Sequence, residues 1–169
     1  PVIDGQPVVL TGGSTETDFV FLDDGSLVVV ARTEAAEPMG FDSKLCSAPA
    51  NDLGNWNCVI DPKKYDSPLM FKHENRAYII GRRNLSETGN YDLGYEEYPE
   101  FLRYLLFQLD YWLRPKRTSL WSLDSQSLEV DWVHDFPSTG DTCFPGILQG
   151  GSDDEFVVYN YSSPWEGGE

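Results

Sequence analysis

Residues 16–32 (ETDFVFLDDGSLVVVAR) and 66–82 (DSPLMFKHENRAYIIGR) align without a gap at an offset of 50. A unit repeated at this period cannot bury its own faces, so neighbouring copies must stack on one another. Acid matches acid at Glu16 and Asp66, Phe21 matches Phe71, the turn DDGS matches HENR, and Arg32 matches Arg82. The register resumes at an offset of 75, where 43–47 matches 118–122 and Asp66 matches Asp141. The 25 residues that separate the two offsets are therefore inserted between Arg83 and Arg117. A third copy opens at Gly140-Asp141-Thr142-Cys143-Phe144, has its second strand at 155–161, and stops there.

Each copy reads as four short strands, rich in β-branched and aromatic residues and bounded by turn residues such as Asp23-Asp24-Gly25 and Gly150-Gly151-Ser152. Four strands in about 50 residues is the unit of a β-propeller blade. The expectation is an all-β chain of about two and a half four-stranded antiparallel, propeller-type blades forming one partial domain over 1–169. One blade covers 10–65, a second covers 66–140, and a half blade covers 141–169. A β-sandwich with accidental similarity competes with this, and the gapless match of 17 residues favours the blades.

The insertion, about 92–115, changes period. Pro99 suits the first position of a helix, with Glu96, Glu97 and Glu100 adding negative charge at that end. Phe101, Leu102, Leu105, Leu106, Leu109, Trp112 and Leu113 recur on one face before Pro115 stops the helix. That apolar face is expected to pack across a sheet edge or rim a site, with core packing preferred to ligand contact.

Composition excludes whole classes of partner. Twelve Lys and Arg face 28 Asp and Glu, a formal net charge of −16. Such a field repels phosphate backbones and anionic lipid, so neither nucleic acid nor a membrane surface is expected. Cys46, Cys58 and Cys143 form no C-x-x-C pair, and with only His73 and His134 no zinc spacing exists, so no metal and no cofactor are called. Free thiols are favoured over a Cys46–Cys58 bridge across a hairpin. Ser152-Asp153-Asp154-Glu155 is read as a solvated hairpin tip rather than a calcium loop. The chain opens on Pro1 without an initiator Met and is read as processed or as part of something longer. Two and a half blades leave raw sheet faces, so homo-oligomerisation through those faces is the natural expectation.

First strands of blades face a common axis, which places chemistry there. Glu16, Asp66 and Asp141 begin them, while Arg32 with Glu34, Arg82 with Arg83, and Tyr159 with Tyr161 end the second strands. Guanidinium forks hold carboxylates, and a carboxylic acid can protonate a glycosidic oxygen, so a carboxylated or hydroxyl-rich glycan is the ligand this set would suit. The competing reading makes Glu16, Asp66 and Asp141 structural acids that tie blade to blade through Arg32 and Arg82.

The segments 15–34 (TETDFVFLDDGSLVVVARTE), 44–49 (KLCSAP), 65–71 (YDSPLMF), 78–84 (YIIGRRN), 91–94 (YDLG), 140–146 (GDTCFPG) and 157–163 (VVYNYSS) resemble a group in the sialidase-like β-propeller superfamily whose members carry the label exo-α-sialidase. The resemblance covers about residues 14–163 and implies a five- or six-bladed propeller acting on glycans, of which this chain matches the later blades. It implies a substrate-holding arginine triad, a Tyr–Glu nucleophile and an Asp acid/base. Asp66, Asp141, Glu34 and Tyr161 are then the catalytic candidates, and Glu16, Arg32, Arg82, Arg83, Arg117 and Tyr159 the substrate-binding ones. The Asp-box of sialidases survives only as Asp52-Leu53-Gly54-Asn55-Trp56 and Ser122-Leu123-Asp124. The expected function is a sialidase-like, exo-acting glycoside hydrolase or its remnant, against the alternative of a non-catalytic binding or assembly module.

Overall fold

The computed structural model describes residues 2–3, 5–7, 15–33 and 42–163. Strands β1 (Val2–Ile3) and β2 (Gln6–Pro7) form a short antiparallel pair. Strands β3 (Glu16–Phe21), β4 (Leu27–Arg32), β5 (Ser43–Ala48) and β6 (Asn57–Asp61) make a four-stranded antiparallel meander in chain order. Strands β7 (Asp66–His73), β8 (Arg76–Asn84), β9 (Lys116–Leu123) and β10 (Val130–Asp135) make a second. A hairpin of β11 (Cys143–Gln149) and β12 (Phe156–Tyr161) follows. The described residues are mostly β, with one helix among them, α1 (Glu100–Leu113), in the β8–β9 connection. The described sheets close into neither a barrel nor a ring.

The repeat holds at the level of register, through compensating irregularities. Glu16 pairs with Arg32 and Asp66 with Arg82. The β3–β4 turn is loose, running from Leu22 to Ser26, whereas β7 and β8 meet at His73–Arg76 across Glu74 and Asn75 alone. Both of those residues have positive φ (48° and 57°), the mark of a tight type I′ turn. The tight turn shifts the pairing by one residue, and a bulge between Asp66 and Leu69, with Ser67 at φ 49°, shifts it back. The β11–β12 pair repeats the device between Cys143 and Gly146. Pro68 and Pro145 fall in these bulges, where a missing N–H costs no ladder bond.

Both faces of β4 are buried. Val28 and Val30 join Leu45, Tyr65, Met70, Ile79, Trp121 and Leu123 in the core between the two meanders. Leu27, Val29 and Ala31 face the other way, toward Cys46, Ala48 and Leu53. Cys46 and Cys58 lie directly across β5 and β6, with Cα atoms 4.1 Å apart, and form a disulfide. This corrects the expectation of free thiols: the β5–β6 register places both sulfurs within bonding reach. Cys143 stays a buried free thiol, pushed up to about 11 chiefly by burial.

The helix turns its unexpected side inward. Phe107 and Tyr111 pack with Tyr91, and Gln108 is buried beside them. Of the expected stripe Leu106 packs against this cluster, whereas Phe101, Leu102, Leu105, Leu109, Trp112 and Leu113 are exposed, which overturns the expectation that the stripe as a whole packs on the sheets. Tyr91 is anchored by donating its backbone N–H to Pro62 O (2.7 Å), so the insertion docks as an aromatic i, i+4 pair on an aromatic loop. Pro99 takes the N-cap position, one residue before its expected place.

Candidate functional site: an acid–arginine relay across the first strands

The first strands lie side by side, β3 against β7 and β7 against β11. Their acids and the arginines opposite them run in one line. Arg32 reaches Glu16 of its own sheet (3.1 Å) and Asp66 of the next (2.6 Å). Arg82 stands 3.9 Å from Asp66 in its own sheet and 3.1 Å from Asp141 of the following hairpin. In the third copy Ser163 stands across from Asp141, donating its backbone N–H to Asp141 O (3.1 Å), where the first two copies place an arginine. The relay therefore begins at Glu16 and ends at Asp141, whose side chain is 74 % exposed.

Asp66 is its buried centre, 2 % exposed. Its Oδ1 accepts from Arg32 and lies 3.8 Å from Lys64 Nζ, and its Oδ2 accepts from the Tyr111 hydroxyl. Burial, then the Asp66 charge and this hydrogen bond, push the Tyr111 phenol far above its ordinary value, with Arg82 pulling the other way. Lys64 and Lys116 stack their ammonium groups on the Tyr111 ring at 5.0 and 4.3 Å, and Lys116 donates to Tyr111 O. Burial and the Arg82 charge hold Lys116 below its usual range. Burial alone would lower Arg82, but Tyr111, Asp66 and Asp141 outweigh it and the guanidinium titrates higher. Arg82 Nε also donates to Thr142 O at 2.7 Å.

The acids bind backbone as well. Glu16 Oε2 accepts from Ser67 N (2.5 Å) and Asp18 Oδ2 from Met70 N (2.6 Å), clamping β3 onto β7 where no ladder bond joins them. Beside the clamps lies a cleft of about 490 Å³ lined by Thr15–Asp18, Ser67, Pro68, Leu69, Phe144 and Pro145.

Of the sequence-derived candidates, Glu16, Arg32, Asp66, Arg82 and Asp141 come together. Tyr161 joins at the edge, stacked on Phe144 with ring centroids 5.9 Å apart. Burial, Asp141 and a hydrogen bond to it raise its phenol. Arg83 does not join. It reaches Asp135 (2.7 Å) and lies over the Trp132 ring. Arg117 sits opposite Arg83 in the β8–β9 ladder and so shares its face, away from Arg82. Tyr159 covers Gly146 so closely that a Cβ there would clash with its ring. Glu34 lies outside the described residues. Sequence reasoning missed Tyr111, Lys64 and Lys116. The signal for Tyr111 was the Phe107/Tyr111 pair on the less hydrophobic side of the helix.

No family model, no curated protein and no solved structure matches this chain.

Proposed function

We propose that the chain is a propeller-type blade module, a sialidase-like remnant that binds a hydroxyl-rich glycan in the cleft beside its first strands without cleaving it. The observation that carries this reading is the cleft lined by Glu16, Asp18, Thr15, Thr17 and Ser67 around the exposed Phe144 ring. Carboxylates and hydroxyls accept and exchange hydrogen bonds with sugar hydroxyls, while an aromatic face covers the apolar face of a pyranose. Both relay arginines are drawn toward Asp66, which favours a neutral sugar over a carboxylated one. Hydrolysis is disfavoured by the same cluster. Asp66 is buried and engaged, and Tyr111 is held protonated rather than primed for attack.

A module used only for assembly is the second reading, favoured by the Glu16–Ser67 and Asp18–Met70 clamps. Amide NMR shifts of the whole chain titrated with neutral and carboxylated sugars separate these readings, together with an aryl-glycoside assay. Perturbation around 15–18 and 144 by a neutral sugar, lost in Phe144→Ala with folding intact, supports glycan binding. Silence to every sugar leaves assembly. Hydrolysis that disappears in a folded Asp66→Asn variant overturns the non-catalytic reading.

A further inference from the structure

The tips of two hairpins meet at the far end of β7 from Asp66. His73 closes β7, Glu74 stands in the β7–β8 turn, and Asp154 lies in the β11–β12 turn. An imidazole nitrogen of His73 and one carboxylate oxygen from each acid lie within 4.8 Å of one another. His73 Nε2 and Asp154 Oδ1 are 3.6 Å apart. Ligands held at about 2.0–2.2 Å in a tetrahedron stand about 3.4 Å from each other, so this pair already has nearly the separation that a metal ion between them requires.

The imidazole is held in place. Its side chain is 25 % exposed, and its ring meets that of Phe156 edge to face, with centroids 5.4 Å apart. Phe156 in turn packs on Phe71, which stacks on Tyr78, so β7, β8 and β12 supply an aromatic floor beneath the ring. The turns that carry the acids are pinned as well. Asn75 Oδ1 accepts from the Asp23 N–H (2.9 Å), and Gln149 Nε2 donates to Ser152 O (2.7 Å) inside the β11–β12 turn. Two carboxylates this close repel each other, and the bases of the β7–β8 hairpin act elsewhere. Lys72 pairs with Asp23, and the charge of Arg76, across the ladder from His73, acts on Asp124. On a chain of net charge −16, a bound cation relieves that repulsion.

We propose that His73, Glu74 and Asp154 bind a divalent transition-metal ion of the zinc type, which bridges the β7–β8 and β11–β12 turns. The donor set selects the class. A nitrogen beside two carboxylates suits zinc and its neighbours, whereas calcium and magnesium take oxygen ligands. Glu155, an acid that a calcium loop in this turn would recruit, instead accepts from its own turn at the Gly151 N–H (3.0 Å). Ligand spacing along the chain gives no sign of the site, because its ligands come from two separate hairpins. Three protein ligands leave one tetrahedral position to water, which makes the site open and exchangeable, with a dissociation constant of about 10–100 µM near neutral pH.

The test is isothermal titration calorimetry of the full chain with zinc chloride in chelator-free buffer, paired with NMR of the imidazole signals. One ion per chain is expected, with the His73 ring signals shifting and those of the exposed His134 unmoved. His73→Ala, Glu74→Gln and Asp154→Asn should each weaken binding at least about tenfold, since losing a ligand costs no less than losing an outer-shell partner. Asp153→Asn, beside the site, should leave the affinity unchanged. The Asp154 side chain is 82 % exposed, so circular dichroism of Asp154→Asn should match the parent, and this variant decides the matter if His73→Ala fails to fold. Absence of saturable binding up to about 1 mM zinc overturns the site. Binding that survives Asp154→Asn, or that leaves the His73 signals in place, also overturns it and assigns the ion to the acidic surface at large. Displacement of zinc by an equal concentration of calcium overturns the transition-metal assignment.

Discussion

Tyr111, on the inserted helix, donates its hydroxyl hydrogen to Asp66, on the first strand of the second meander. One bond thus ties the insertion to the centre of the relay. Buried carboxylates persist only when paired and hydrogen-bonded, and Asp66 draws its partners from β4, from β8 across the ladder, and from α1.

Removing the Asp66 charge should therefore be expensive. Asp66→Asn leaves Arg32 and Arg82 without their shared counter-charge and is expected to cost about 3–5 kcal/mol. Tyr111→Phe removes one donor and should cost about 1–3 kcal/mol. Urea denaturation of both single variants and the double variant would show whether the costs couple. An Asp66→Asn loss below about 1 kcal/mol would refute a structural role for the relay.

Asp42 sets a pH dependence. Burial, then the charges of Asp92 and Asp61, raise its carboxyl from 3.8 to about 7, with Arg103 opposing, and its Oδ1 is buried without a hydrogen-bond partner among the described residues. A folded-state value above the unfolded one means the folded protein holds the proton more tightly. The stability from that proton is fully present below 3.8 and is lost as pH rises through about 7. Asp42→Asn, which mimics the protonated form, should gain in melting temperature relative to the parent from pH 4 to about 7, then run level with it at a constant offset. A difference that does not change with pH would contradict this assignment.

The Cys46–Cys58 bridge closes a short loop between adjacent strands. Constraining a loop of this length contributes about 3 kcal/mol in the chain-entropy account. Reduction, or Cys46→Ala with Cys58→Ala, should lower the urea midpoint accordingly, without change in the relay. Unaltered stability after reduction would show the bridge to be thermodynamically idle.

Tyr159 and Gly146 form a packing pair in which only glycine fits. Gly146→Ala should cost about 1–3 kcal/mol by overpacking, and Tyr159→Ala should remove most of that added penalty. If Tyr159→Ala instead abolishes sugar-induced shifts while Gly146→Ala is silent, Tyr159 belongs to the ligand site.

The meanders were legible because a period-2 strand pattern and an aligned repeat both survive in the residues. Glu16, Arg32, Asp66 and Arg82 were findable because repeat symmetry marks them directly. The bulge at Ser67 was not, since a gapless alignment hides a turn and a bulge that cancel. The helix was legible as a helix, but its orientation was not. Hydrophobicity ranks Leu105 and Trp112 above Tyr111, whereas the hydrogen bond to Asp66 and the aromatic contact with Tyr91 decide which side docks. Arg83 was grouped with Arg82 by sequence neighbourhood, yet alternation along a strand sends adjacent residues to opposite faces, and Arg117, which entered with the resemblance, lies opposite Arg83 in the ladder.

The relay also carries an order of events. Asp66 lies 34 residues from Arg32 and 45 from Tyr111 along the chain, so its bonds close only after two separate stretches of backbone have been brought round. Contacts that span such distances form late, because the entropy of closing both loops is spent before they return anything. Their loss should then be felt as faster opening of the finished fold rather than slower assembly, so that the lifetime of the native state is expected to hang on a carboxylate that plays little part in reaching it.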